Sequence, residues 1–474
     1  MKNIVASILM LTLVVTSCDT LPEDITRSEN DGSVKISFYS DIVEKELSPF
    51  MTGFNMSYYH DKDQLWADGK LATGLTEVKT KLLRYPGGAE TSYFHWQYPG
   101  CPGYMDVWNP THNIDKDEIS AITENMDTDE FISLCNTIGA EPILGINILS
   151  GVVNNKLDES LQEAKDWVTY CKSKGYEVKY WYLDNEVDHD TSYAQITTEE
   201  YARIINQFSK ELKAIDPDIK LIISMLGNAT LEKYKKIIEL AANSFDMIDI
   251  HYYYGWDIAE WSKWLSQRPM INTDTNMSYT KEISTLTSYI KKCSNPDIDV
   301  VSLEWNIAPT KAGIISDYKQ ALMQTEMFQQ FLASDLKMAC IWPLIWNVDE
   351  GTFPSIFNQH DYTPTPLYQI LKLYSEVLGH KQVFSISSDL RIVPQCVVGD
   401  KSSWVCAINK SKYELPVKIE MRGNRQCSNA IVHIISTDDI DGSQCKVTSS
   451  EVKVSGGLIT FDVPAFSFFR VDLN

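Results

Sequence analysis

Two short stretches of the sequence place a glutamate directly after a run of aromatic and aliphatic residues. The first is YWYLDNEVD (180–188), which contains Asn185 and Glu186, and the second is VVSLEWN (300–306), which contains Glu304. A lone Asn-Glu after a strand is usually a cap at the protein surface. If both strands end at one cleft, however, the two carboxyl groups are sufficient for glycosidic hydrolysis: one donates a proton, and the other attacks or stabilises the anomeric carbon.

Each residue of the Asn-Glu pair has its own chemical requirement. The neutral Asn185 can hydrogen-bond a sugar hydroxyl next to the reacting carbon. Glu186 has to stay protonated until it acts, which calls for a dry site or a repelling carboxylate nearby.

Four further candidates stand at or near the ends of other apolar runs. Arg84 lies in KLLRYP, His251 and Tyr253 lie in MIDIHYY, and Trp346 ends ACIWPLIW, where it is predicted to contact substrate. Arg84 would place a permanent cation near Glu304, which favours the carboxylate form that a nucleophile needs. A purely structural salt bridge for Arg84 and a hydrogen-bonded core position for His251 are the alternative interpretations.

The sequence predicts a (β/α)8 barrel, an α/β fold, over residues 49–380, and this fold would place these residues at one end of the barrel. Eight near-continuous apolar runs alternate there with amphipathic helical stretches; the runs are PFMTGFNMS, KLLRYP, PILGINI, VKYWYLD, IKLIISM, MIDIHYY, VVSLEWN and ACIWPLIW. In a closed barrel the fourth and seventh strands end on opposite sides of one cleft. No G-x-G-x-x-G or Walker-type loop follows any of these strands, which removes the usual nucleotide-binding interpretations.

A second domain is predicted after the barrel. Residues 381–474 contain short alternating strands separated by turn residues, the pattern of an antiparallel β-sandwich. The early run SVKISFYSD, within residues 33–48, also alternates between apolar and polar residues. We therefore expect this N-terminal strand to complete the sandwich.

The N-terminal residues resemble the export signal of a bacterial lipoprotein. Residues 1–18 combine Lys2, an apolar run too short for a permanent span, and VVTSC, in which Cys18 is the predicted site of lipid attachment. Residues 19–32 are polar and would form a flexible tether. This predicts a membrane-anchored protein of the bacterial cell envelope that faces the periplasm or the cell surface. An ordinary secretory signal with an incidental cysteine is the alternative.

Charge and cysteine usage exclude several classes of partner and cofactor. The 474 residues include 42 Lys and Arg against 64 Asp and Glu, a net charge of −22, which argues against nucleic acid or an anionic membrane surface as the main partner. No C-x-x-C pair is present, and neither a metal nor an organic cofactor is implied. Cys396 and Cys406 flank GDKSS and are placed to face each other across a hairpin.

Taken together, these motifs resemble a known family. An Asn-Glu that closes the fourth strand and a Glu that closes the seventh resemble the signature of clan A retaining glycoside hydrolases. The resemblance implies that Glu186 is the acid/base, that Glu304 is the nucleophile, and that His251 and Tyr253 orient the nucleophile or touch the sugar. Over roughly residues 49–380 the chain is most similar to the family 51 α-L-arabinofuranosidase group, on the motifs LRYPGG, MDTDEFISLCNTIGAEPILGIN, VKYWYLDNE, IDPDIK and IDIHYY.

Two positions depart from the pattern of that family. Its members carry a Glu in a G-x-F-x-E pattern after the first strand, whereas this chain reads GFNMSYY and has no acid before Asp61. The family also has Asn after R-x-P-G-G, where this chain has Ala89. Both residues belong to the pocket that grips a terminal arabinofuranose.

Several functions therefore stay open at this point. An arabinofuranosidase-like hydrolase acting on plant or algal polysaccharide competes with an endo-acting β-glycanase, of the agarase, xylanase or endoglucanase kind, whose open cleft would be lined by the aromatic-rich loop 86–127. Those aromatic residues either stack on sugars or pack the loops against the barrel. Transglycosylation uses the same pair of acids. A surface lipoprotein that only binds glycans needs neither acid. The predicted partner is a polysaccharide or oligosaccharide, and the sequence makes no prediction of the oligomeric state.

Overall fold

The structure is a computed structural model that covers most of the chain. It describes residues 32–189, 192–225, 231–255, 261–267, 269–272, 275–308, 317–345, 353, 355–358 and 361–474. Cys18 and Trp346, predicted to carry the lipid and to contact substrate, lie outside these residues. No helix within the described ranges is long and apolar enough to cross a membrane.

Eight parallel strands close into a barrel, which confirms the predicted fold class. In chain order, the strands up to the end of the barrel are β1 (Val34–Glu46), β2 (Gly53–Asn55), β3 (Leu82–Tyr85), β4 (Glu141–Ile146), β5 (Tyr180–Leu183), β6 (Lys220–Met225), β7 (Met247–Ile250), β8 (Tyr252–Tyr254), β9 (Ile271–Asn272), β10 (Met277–Ser278), β11 (Asp299–Ile307) and β12 (Ala339–Ile341). The barrel consists of β2 to β7, β11 and β12, and it closes because β12 pairs with both β11 and β2. β8 extends the sixth strand beyond His251, and β9 and β10 form a separate ribbon.

Helices surround the barrel. They are α1 (Asp63–Trp66), α2 (Lys70–Glu77), α3 (Lys116–Ser120), α4 (Thr128–Ile138), α5 (Leu149–Val153), α6 (Leu157–Lys174), α7 (Thr198–Ile215), α8 (Leu231–Ala241), α9 (Trp261–Ser266), α10 (Tyr279–Ile290), α11 (Asp317–Ala333) and α12 (Pro366–Tyr374). The sequence determines several of their ends directly. Asp127 and Glu130 form a capping box at the start of α4, and Gly139 ends that helix with a φ of 74°.

The second domain is a closed nine-stranded sheet. Its later strands are β13 (Lys381–Ser387), β14 (Gln395–Val398), β15 (Ser403–Asn409), β16 (Leu415–Arg422), β17 (Asn429–Ser436), β18 (Lys446–Ser455), β19 (Leu458–Val463) and β20 (Ser467–Leu473). As predicted, β1 completes this domain, pairing antiparallel with β13. Its other neighbour, β16, runs parallel to it, so the sheet is not purely antiparallel. A strand that enters from the far end of the chain needs no hairpin, so nothing in the connection requires antiparallel pairing.

The two cysteines expected to face each other do not. In the β14–β15 pair, Cys396 lies opposite Val405 and Cys406 lies opposite Gln395. This offset of one residue turns the two side chains to opposite faces of the sheet. Cys396 packs inside the second domain, whereas Cys406 packs with the barrel core. Both thiols are free.

Polar contacts join the second domain to the barrel. On α11, the Tyr318 hydroxyl donates to the carbonyl oxygens of Ile435 and Phe466, at 3.1 and 2.9 Å. Arg470 on β20 donates to the carbonyl of Leu373 on α12, at 2.7 Å. The second domain therefore packs on helices that flank the end of the barrel sequence.

The place of β1 predicts a specific stability effect. Phe38 is fully buried inside the second domain. Because truncating a buried Phe costs about 3–5 kcal/mol, Phe38→Ala should lower the free energy of unfolding by that amount in urea denaturation. Ile42→Ala, on the same strand but 49% exposed, is the control, and it should change that free energy by about 0.5 kcal/mol or less. Equal effects of the two substitutions would contradict the placement of β1.

Candidate active site

The two glutamates meet at the carboxyl-terminal end of the barrel. Glu186 lies just after β5, and Glu304 lies within β11, on the opposite side of the opening. One oxygen of each carboxyl group and one ring nitrogen of His251 all lie within 4.8 Å of one another. The side chains of Glu186 and Glu304 are 21% and 10% exposed, so both reach the cleft.

Arg84, at the end of β3, connects three strand ends. Its side chain is fully buried, and its guanidinium donates to Glu304 Oε2 at 3.1 Å, Asn55 Oδ1 at 2.9 Å and Asn185 Oδ1 at 2.6 Å. Burial alone would lower the pKa of Arg84, but the neighbouring Tyr182 and Glu304 raise it above its usual value. Arg84 is therefore a fixed cation that orients both a glutamate and the neighbouring amide.

Tyr253 holds the other oxygen of Glu304. Its hydroxyl donates to Glu304 Oε1 at 2.6 Å. Burial and the Glu304 carboxylate raise the pKa of Tyr253, so this hydroxyl stays a donor. Gly88 lets the loop after β3 pass close to Glu304, because a Cβ at this position would lie 3.0 Å from Glu304 Oε2. With Arg84 on one oxygen and Tyr253 on the other, the carboxylate has a single orientation.

His251 lies among three carboxylates. Its Nδ1 is 2.7 Å from Glu186 Oε1 and 3.6 Å from Glu304 Oε2, and its Nε2 is 2.9 Å from Asp249 Oδ2. Burial favours the neutral ring, but Glu304, Asp249 and the hydrogen bond to Glu186 together raise the pKa of His251 well above its usual value. The ring is then an imidazolium, and its two N–H groups donate to oxygens of Glu186 and Asp249.

The backbone at Glu186 adopts an uncommon conformation. Asp184 and Glu186 have φ values of 65° and 45°, a region that few residues other than glycine occupy. The buried Asp184 carboxylate stabilises this turn by accepting from the N–H groups of Ile148 and Leu149, at 2.6 and 2.7 Å, and from the Ser92 hydroxyl at 2.6 Å. The turn aims Glu186 at the cleft.

Sequence reasoning missed Asn55 and the role of Asp184. Asn55, at the end of β2, donates to the carbonyl oxygens of Leu303 and Ile341, at 2.8 and 3.1 Å, while it accepts from Arg84. An Asn at the end of a fully buried strand was the available signal. Asp184 stands beside the Asn-Glu pair and was visible as an acid, but its backbone partners come from a different βα loop.

A third buried carboxyl group, Glu90, lies beside the departures from the family pattern. Ser57 occupies the place of the Glu in G-x-F-x-E, four residues after Gly53, and its hydroxyl donates to Glu90 Oε2 at 2.5 Å. Glu90 itself directly follows Ala89. A carboxyl group is thus present near the position of the missing one, but it comes from the loop after the second strand.

The aromatic residues of the long loops divide into two groups. Phe94, Tyr252, Tyr254 and Trp264 are buried, so they pack the loops against the barrel. Tyr104 is exposed, and Tyr93 is partly exposed. The predicted contact of Trp346 with substrate stays a prediction, because this residue lies outside the described ranges.

Glu90 predicts a pH-dependent stability. Burial, partly offset by the Ser57 hydrogen bond, raises the pKa of Glu90 from 4.5 to about 7. The folded state therefore binds this proton more tightly than the unfolded state does, and the resulting stabilisation is present below pH 4.5 and is lost as the pH rises through about 7. Relative to Glu90→Gln, the wild type should lose free energy of unfolding between about pH 5 and about pH 8 in urea denaturation.

The exposed Glu118, on the same long loop, supplies the control. Glu118→Gln should show no such change with pH relative to the wild type. A Glu90→Gln difference that stays constant across this range would contradict the buried, protonated carboxyl group.

Comparison with known proteins shows which proteins this chain is similar to. The family model described as Alpha-L-arabinofuranosidase 1 domain matches residues 74–267. The chain is 31% identical over 209 residues to Alpha-L-arabinofuranosidase C of Emericella nidulans, covering 37% of this chain and 38% of that protein. It is 23% identical over 361 residues to the intracellular exo-alpha-(1->5)-L-arabinofuranosidase of Halalkalibacterium halodurans, covering 68% and 69%. The match thus spans less than half of the first of these relatives.

Solved structures show the same fold. An alpha-L-arabinofuranosidase from Thermotoga maritima in complex with arabinose matches with a TM-score of 0.74 and 19% identity, covering 93% of this chain and 100% of that one. A family 44 xyloglucanase from Paenibacillus polymyxa matches with a TM-score of 0.66 and 13% identity, covering 93% and 99%. As the motifs predicted, these matches support a clan A glycoside hydrolase of the group that resembles the family 51 α-L-arabinofuranosidases.

Proposed function

We propose that the protein is a retaining glycoside hydrolase that cleaves O-glycosidic bonds in plant or algal polysaccharide. The observation that carries this proposal is the approach of Glu186 and Glu304, whose carboxyl oxygens lie within 4.8 Å. Retaining enzymes hold their two carboxyl groups about 5–5.5 Å apart, whereas inverting enzymes need about 6.5–9.5 Å to admit a water between them. The observed approach supports the retaining class.

In the first step, a Glu304 oxygen attacks the anomeric carbon and forms a glycosyl ester. The bond to the leaving oxygen breaks at the same time, and Glu186 gives its proton to that oxygen. Arg84 and Tyr253 hold the nucleophile in place, so little reorganisation is needed.

In the second step, Glu186 acts as a base. It takes a proton from a water, whose oxygen attacks the anomeric carbon and releases Glu304 as a carboxylate. Because Glu304 is a neutral ester in the intermediate, it no longer repels an ionised Glu186. The His251 imidazolium, 2.7 Å from Glu186 Oε1, stabilises that ionised form.

Asn185 is suited to hold the sugar. Its Oδ1 accepts from Arg84, which fixes the orientation of the amide. Its Nδ2 makes no hydrogen bond to another described residue, so this group can donate to a sugar hydroxyl next to the reacting carbon.

An arabinofuranosidase-like specificity is the substrate class that we favour. Relatives with this name match this chain over 209 and 361 residues, and Glu90 places a carboxyl group near the position where the family pattern has one. An endo-acting glycanase is the second candidate, since the exposed Tyr104 suits a sugar chain that lies along an open cleft.

We also propose that the protein acts at the bacterial cell envelope. Lys2, the apolar run after it and Cys18 support attachment through a lipid. A lipid anchor would hold the hydrolase where polymeric carbohydrate reaches the cell.

The assignment of roles predicts two different azide products. With 4-nitrophenyl α-L-arabinofuranoside, Glu186→Ala should still form the glycosyl ester but should lack the base for its hydrolysis. Azide should then attack the ester and give a glycosyl azide with the anomeric configuration of the substrate. In Glu304→Ala, azide has to displace the leaving group directly and should give the opposite configuration. Carbon and proton NMR distinguish the two azides.

Without azide, Glu304→Ala should lose about 10⁴-fold or more in kcat. Glu232→Ala is the control, because this side chain is 79% exposed on α8, and it should keep wild-type turnover. The same azide configuration from both active-site variants would contradict the assigned roles.

A further inference from the structure

Tyr104 stands out among the aromatic residues of the barrel. It is 51% exposed, whereas every other aromatic side chain in the described part of residues 49–380 is buried or partly buried. Single exposed apolar side chains are common on protein surfaces, so the position and support of this ring decide whether it has a role.

The loop after β3 brings Tyr104 close to the cleft. The preceding residue, Gly103, passes over Glu90, since a Cβ on Gly103 would lie 3.6 Å from Glu90 Oε1. Gly87 and Gly88 link this carboxyl group to the cleft, because Cβ atoms at these positions would lie 3.0 Å from Glu90 Oε2 and from Glu304 Oε2. Burial and the carboxylates of Glu90 and Glu304 also raise the pKa of Tyr104, whose side chain is 51% exposed.

Two further rings support Tyr104 from one side. Its ring is edge-on to Tyr93, with centroids 5.5 Å apart and an angle of 88°. Tyr93 stacks on Tyr193 at 4.1 Å and 24°. An edge-on contact with one neighbour leaves at least one flat face of Tyr104 uncovered by it.

A buried polar network fixes these rings. The Tyr193 hydroxyl donates to Asp106 Oδ2 at 3.0 Å, and Asp106 also accepts from Ser150 at 2.7 Å. His95 Nε2 lies 3.0 Å from the same carboxylate, and Glu163 lies 2.9 Å from His95 Nδ1. Although burial opposes it, Glu163 and Asp106 raise the pKa of His95 to about 9, so the network contains a cation at neutral pH.

This network ties three barrel loops together. His95 and Asp106 follow β3, Ser150 follows β4, and Tyr193 follows β5. A rigid aromatic surface loses little conformational entropy when a ligand binds, which increases affinity.

We propose that Tyr104, backed by Tyr93 and Tyr193, binds a second sugar ring of a carbohydrate chain, next to the sugar that Glu304 attacks. The proposal rests on the proposed function and names its ligand more closely: an oligosaccharide of at least two sugars. A sugar ring presents C–H groups on its flat face, which pack on an aromatic ring, and hydroxyls at its edge.

Titration calorimetry on a protein that cannot turn over the ligand tests this directly. In a Glu304→Ala background, the Kd for α-1,5-linked arabinotriose and for xylotriose is measured with and without a change at Tyr104. Tyr104→Ala should weaken the binding of at least one trisaccharide about tenfold, the loss of one stacked ring. Tyr104→Phe keeps the ring and should stay within about twofold.

A matched control exists on the second domain. Tyr413 is also 51% exposed but lies outside the barrel, and Tyr413→Ala should leave the Kd unchanged. Three results would overturn the proposal. The Kd could be the same with and without Tyr104→Ala, Tyr104→Phe could weaken binding as much as Tyr104→Ala, or neither trisaccharide could bind. Because these titrations need no turnover, they are separate from the azide experiment, whose failure would count against the hydrolase assignment instead.

Discussion

The buried guanidinium of Arg84 is the group on which the rest of the active site depends. Moving an ion into a protein interior costs several kcal/mol unless partners compensate it, and here the partners are Glu304, Asn55 and Asn185. These three residues come from β11, β2 and the turn after β5. Only a closed barrel brings those strand ends around one side chain, so the fold and the position of the nucleophile are set by the same contacts.

A second buried cation, His251, adds to the charge balance around Glu304. His251 contacts Glu186 and Asp249 and lies 3.6 Å from Glu304. Asp249 in turn accepts a hydrogen bond from the N–H of Leu303, next to Glu304, at 2.6 Å. Two cations thus face three carboxyl groups within one cleft. In the proposed mechanism, Glu186 and Glu304 change charge during the two steps while Arg84 and His251 stay protonated.

The barrel and the pair of acids were predictable because each depends on local signals, namely buried apolar runs and polar residues at their ends. Asn55 and Glu90 were not, since their roles arise from neighbours in other loops. The prediction that Cys396 and Cys406 face each other was wrong for a similar reason. A strand register that differs by one residue turns a side chain to the other face of the sheet, and the sequence does not specify that register. The parallel pairing of β1 with β16 depends on how a distant strand docks, which no local pattern reveals.

Glu304 is proposed to become covalently bonded to the sugar, and this bond determines the anomeric configuration of the first product. Proton NMR during hydrolysis of an α-L-arabinofuranoside, recorded before the released sugar mutarotates, shows which anomer forms first. Two displacements at one carbon predict that the α-anomer appears first. Initial release of the β-anomer would mean a single displacement by water, and Glu304 would then be a base and not a nucleophile.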